Sequence, residues 1–101
     1  MTEVPASERR VHVRIAGRVQ GVGYRAWVAR TAAQLVLSGF VRNERNGSVE
    51  AAFTGPSAAV AEMLTLLEVG PPDADVTSVT ILDEGGPAHH GFTVLPTPLH
   101  P

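Results

Sequence analysis

The chain has 101 residues, 44% of them hydrophobic and 18% charged, with no cysteine and a formal charge of −2. That length supports one domain with a single core, and the missing thiols exclude disulfides and thiolate-bound metals. The opening MTEVPASERR lacks the apolar centre of a secretory signal, and no apolar run approaches the roughly 20 residues of a membrane span, so the expectation is a cytoplasmic protein.

Residues 1–8 read as a flexible polar leader, since Pro5 and Ser7 interrupt any pattern. From there RVHVRIAG alternates, with Val11, Val13 and Ile15 on one face, the signature of a half-buried strand. YRAWVARTAAQLVL (24–37) repeats at helical spacing through Tyr24, Val28, Ala32 and Leu35. Ser38-Gly39 is expected to break that helix, and FVRN to begin a second strand. Asn46-Gly47 predicts a tight hairpin in which both turn residues take positive φ. The next strand turns Val49, Ala51 and Phe53 inward. Gly55-Pro56 opens a second helix with proline at its first position, and Val60, Met63, Leu64 and Leu67 form its apolar stripe. Gly70 with Pro71-Pro72 stops it. DVTSVTIL predicts a fourth strand with Val79 and Ile81 on one face, DEGGPAHHG a loop, and FTVL a short edge strand. Residues 96–101 form a tail too rich in proline to pair. The order β-α-β-β-α-β over residues 9–95 predicts an α+β, ferredoxin-like α/β sandwich, an antiparallel sheet of four to five strands with two helices on one face.

The charge is unevenly spread. All eight basic residues are arginines at or before Arg45, against three acids in residues 1–47, a formal +5. Residues 48–101 carry seven acids and no arginine or lysine, a formal −7. This asymmetry points to an anion site in the first half, although most of these arginines read as solvated surface. The strongest local feature is GRVQGVGYR (17–25), where a strand gives way to a helix. A helix N-terminus offers N–H groups that it does not use internally, together with partial positive charge. Gly21 and Gly23 supply unusual dihedrals that turn successive N–H groups inward, while Gln20, Val22 and Tyr24 contribute backbone only. Arg25 in the first helical turn opposes the helix dipole, but fits if an anion lies between it and the N–H groups. The spacing matches neither a P-loop nor a dinucleotide fingerprint, and a merely tight turn is equally compatible with the residues.

Asn43, in FVRNERNGS, shares parity with Val41 and so faces the same side of its strand. It reads either as an inward polar group of a site or as an approach residue to the Asn46-Gly47 turn. His89-His90 lacks the ligand spacing of a zinc site, and no serine has a suitable histidine and acid nearby in sequence. No metal and no cofactor are expected.

Together these stretches resemble the acylphosphatase family. The resemblance runs from about Val11 to Val94 and rests on GRVQGVGYR, on GFVRNERNGSVE (39–50), and on the Gly-Pro pair at 55–56 and GPPDADV (70–76). It implies hydrolysis of the carboxyl–phosphate anhydride of acyl phosphates, without a metal and without a covalent intermediate. By motif position Arg25 matches the phosphate-binding arginine and Asn43 the asparagine that positions the attacking water. The N–H groups of Gly21, Val22, Gly23, Tyr24 and Arg25 match the phosphate cradle. Gly23 stands where some members carry an aromatic residue, and Phe40 where tryptophan is frequent. The expected ligands are a small acyl phosphate and inorganic phosphate or another anion, with no nucleic acid or membrane partner and a monomeric state. The alternative is a non-catalytic anion-binding regulatory module on the same fold. RNA binding through the sheet is disfavoured by the missing aromatic pattern, and a place within a larger carbamoyl-transfer maturation enzyme is a further reading.

Overall fold

Alternating Val11, Val13 and Ile15 bury one face of a strand that is longer than the sequence suggests. In the computed structural model, which describes residues 8–86 and 89–99, this strand is β1 (Glu8–Arg18). It is followed by α1 (Tyr24–Gln34), β2 (Ser38–Asn43), β3 (Val49–Pro56), α2 (Ser57–Val69), β4 (Asp75–Glu84) and β5 (Phe92–Val94). Glu8 therefore belongs to the sheet rather than to the leader, and the rest of that leader lies outside the described residues.

The sheet order is β4-β1-β3-β2-β5. β3 pairs antiparallel with β1 on one side and β2 on the other. Central placement explains why every residue of β3 from Val49 to Gly55 is buried. One face meets the helices through Val49, Ala51 and Phe53, against Val28, Val60, Met63 and Leu67. The ferredoxin-like order is as expected, but the sheet is mixed. β4 runs against β1 and hence against β2. The chain reverses once more before β5, so β5 lies parallel to β2. Stacking of Phe92 on Phe53, with ring centroids 5.7 Å apart, fastens this short edge strand to the core.

Three local expectations change. α1 stops at Gln34, and the reversal is made by Val36 at φ 57, not by Ser38-Gly39. Gly39 is instead a strand residue where β2 approaches β3 closely: a Cβ there would stand 1.8 Å from the Ala52 carbonyl oxygen. Between β2 and β3 only Gly47 has positive φ. Its N–H donates to the Glu44 carbonyl and the Glu44 N–H donates to Ser48, giving a three-residue loop rather than a two-residue turn. Pro56 closes β3 and precedes α2 instead of opening it. Val79 packs against the core as predicted, whereas Ile81 on the outer strand stays 43% exposed.

Candidate active site

The β1–α1 junction leaves backbone N–H groups without helical acceptors. Val19, 1% exposed, pins the chain beneath the loop. Gly21 and Gly23 then adopt φ of 74° and 78°. A Cβ at either would meet nothing within 4 Å, so glycine is required there for its dihedrals and not for space. α1 has no side-chain N-cap and no acid in its first turn. The first helical bond runs from the Trp27 N–H to the Gly23 carbonyl at 3.1 Å, which leaves the preceding N–H groups of the turn without helical acceptors.

Tyr24 holds this turn in place. Its phenol, 1% exposed, donates to the Leu67 carbonyl at 2.9 Å. That carbonyl lies in the last turn of α2, and the residue four positions on, Pro71, has no N–H to offer it. Burial pushes the Tyr24 hydroxyl well above its usual range, so it stays a neutral donor. The residue does more than lend backbone.

Arg25 is the second residue of α1. Arg9, Arg10, Arg14 and Arg42 each reach a carboxylate. Among the described residues Arg25 forms no ion pair, and it stands beside the uncapped helix start. Asn43 ends β2 on the same side as Val41, which is fully buried. Its Oδ1 is buried and finds no donor among the described residues. A buried acceptor left unpaired costs about 1–3 kcal/mol, so this orientation is not explained by stability.

The fold brings the two motifs to one cleft of about 280 Å³, lined by Val19, Gly21, Gly23, Tyr24, Arg25, Ala26, Asn43 and Val94. Val22 is not among these residues and packs instead against the core. Cationic and amide groups thus share a small cavity with apolar walls, an arrangement suited to an anion whose remainder is uncharged. A second concavity, beside His12, Phe40, Glu50 and His89, lies on the opposite sheet face. Among the described residues no three histidine or acidic side chains are grouped to hold a metal.

Sequence reasoning missed two contributors. Gln20 uses its side chain, donating from Nε2 to the Glu44 carbonyl at 2.7 Å and the Ser48 carbonyl at 2.9 Å. Val94 forms part of the cleft wall from β5. A half-buried amide beside a buried valine must find partners, so Gln20 carried a usable signal. Val94 had none, because nothing local indicates where a three-residue edge strand docks.

The acylphosphatase family model matches residues 11–94. A protein named acylphosphatase from Azorhizobium caulinodans is 53% identical over 88 residues, covering 86% of this chain and 95% of that one. The crystal structure of an acylphosphatase from Bacillus subtilis superimposes with a TM-score of 0.81 at 31% identity, covering 88% of this chain and 99% of that one. An acylphosphatase structure from Coxiella burnetii gives a TM-score of 0.84 at 33% identity, covering 94% and 100%. With the match spanning both motifs and nearly all of the described fold, the chain is a hydrolase of the acylphosphatase family.

Proposed function

We propose that the cleft hydrolyses acyl phosphates by in-line attack of water, with the phosphoryl group held by the loop N–H groups of residues 21–25 and by Arg25. The observation that carries this reading is the meeting in one cleft of Arg25, which forms no ion pair among the described residues, and the buried Asn43 Oδ1, which finds no donor among them. The N–H groups and the guanidinium are fixed donors for equatorial phosphoryl oxygens, where charge is concentrated in the transition state. Asn43 Oδ1 accepts a hydrogen bond from the attacking water and orients its lone pair toward phosphorus. An amide is not a base near neutral pH, so the water's proton passes to a phosphoryl oxygen of the substrate. The new P–O bond forms as the P–O bond to the acyl oxygen breaks, and that oxygen leaves with its electron pair as a carboxylate. A carboxylate is a good leaving group and needs no general acid, so positioning and charge stabilisation suffice. All of these groups come from one chain, in keeping with a monomer.

The test is turnover of benzoyl phosphate by the purified protein, with inorganic phosphate as a competitive inhibitor. Arg25→Ala should abolish most turnover and weaken phosphate inhibition. Asn43→Ala should abolish most turnover while largely sparing phosphate inhibition. An Asn43→Ala protein with near-native turnover would sink the water-orienting role. Phosphate affinity without any turnover by the native protein would favour a binding module.

A further inference from the structure

The cradle and Asn43 are separated along the chain, and reaction geometry depends on the distance between them. Gln20 immediately precedes Gly21, and Glu44 immediately follows Asn43. The Gln20 amide spans this gap with two hydrogen bonds, to the carbonyls of Glu44 and Ser48. Those carbonyls sit at the mouth of the β2–β3 hairpin, next to the paired residues Asn43 and Val49. The same carbonyls close the turn, accepting from the Gly47 N–H and the Glu44 N–H respectively.

A second layer braces the gripped end. Arg14 of β1 donates from Nε and Nη2 to the two Glu44 carboxylate oxygens at 2.8 and 3.2 Å. The Ser48 hydroxyl donates to Glu44 Oε1 at 2.7 Å. This bidentate pair ties the hairpin mouth to the strand that leads into the loop.

We propose that Gln20 is a positioning residue that sets the separation between the phosphate cradle and Asn43, with the Arg14–Glu44 pair holding the hairpin mouth that it grips. This inference rests on the roles assigned above to the cradle and Asn43. A contact that holds both halves in register acts on turnover more than on phosphate binding, because the cradle alone supplies the anion contacts. Misplacement by about 1 Å costs on the order of 100-fold in a positioned reaction.

The experiment compares native protein, Gln20→Ala and Gln20→Glu for kcat on benzoyl phosphate, inhibition by inorganic phosphate, and thermal unfolding. Gln20→Glu is nearly isosteric, but its carboxylate faces two carbonyls with no N–H to offer. Both variants should lose about tenfold or more in kcat while phosphate inhibition changes by less than about threefold. Gln20→Lys restores a donor and should recover part of the loss. Near-native kcat in Gln20→Glu would overturn the positioning role. So would a matching loss of phosphate affinity, which would make Gln20 a builder of the cradle alone. Unfolding of the variants at the assay temperature would also overturn it, by assigning Gln20 to stability. An inactive native protein would overturn the catalytic reading and this inference with it, an outcome separate from all of these.

Discussion

The two β-to-α junctions of this fold serve the same topological purpose and differ sharply in build. Between β1 and α1 the chain inserts five residues, with two glycines in the left-handed region, before the helix begins at Tyr24. Between β3 and α2 it inserts none: β3 ends on Pro56 and α2 starts at Ser57. Neither helix has a side-chain N-cap hydrogen bond. The lack of a side-chain cap is therefore not what distinguishes the first junction. The first junction adds a loop with two glycines in the left-handed region, an arginine in the first turn that forms no ion pair among the described residues, and a strand end that brings an amide to the same cleft. At the second junction Ala58 occupies the position equivalent to Arg25, the second residue of its helix.

The largest expected effect comes from removing what distinguishes the first junction. Arg25→Ala and Asn43→Ala should each lower kcat/KM by about 100-fold or more, read with benzoyl phosphate. A loss confined to Arg25→Ala would mean that the junction acts without its partner strand. Next, Gly23→Ala should cost about 1–2 kcal/mol in stability, because a Cβ is unfavourable at its φ of 78°. It should also weaken phosphate inhibition. Urea unfolding and an inhibition series separate the two effects. Unchanged stability and inhibition would show that the loop tolerates ordinary dihedrals.

Tyr24→Phe should leave the Leu67 carbonyl without its donor and lower stability by roughly 1–3 kcal/mol, as measured by urea unfolding. A smaller effect follows pH. The Arg14 guanidinium, through its hydrogen bonds, holds the Glu44 carboxyl below its ordinary 4.5. Folding then lowers this pKa. The stabilisation is fully present above about 4.5, and is lost as pH falls through the lower folded value. Glu44→Gln should flatten the acid limb of an unfolding-midpoint profile. An unchanged limb would place the acid sensitivity elsewhere. Smallest of all, Ala58→Arg at the second junction should add no second phosphate-binding site to that of the native protein, since a cation at a helix start without the loop gathers no anion. Phosphate binding there, seen by titration calorimetry, would break the comparison.

Much of this was legible in the sequence because it is local. Val11, Val13 and Ile15 alternate, Val60, Met63 and Leu67 recur at helical spacing, and Gly21 and Gly23 ask for dihedrals that other residues resist. The failures were also physical. Val36 takes a left-handed conformation that a glycine would signal and a valine does not, so the helical spacing runs past the true end of α1 at Gln34. The Asn46-Gly47 pair signalled a turn, but not that Asn46 would keep negative φ and lend Oδ1 to the Ser48 N–H at 3.0 Å. Gln20 looked like a loop residue because its acceptors lie 24 and 28 positions away.

The sequence by itself determined the elements, the family motifs and the residue types able to hold a phosphate, since periodicity and dihedral preference act over a few neighbours. Tertiary structure alone decided which of those residues meet. Pairing of β2 with β3 carries Asn43 to the cleft beside the β1–α1 loop, β5 adds Val94 to the cleft wall, and the Gln20 side chain joins the loop to the β2–β3 hairpin. Strand register and edge docking are contacts between distant segments. Their energies come from the burial of shared core faces and not from any local pattern.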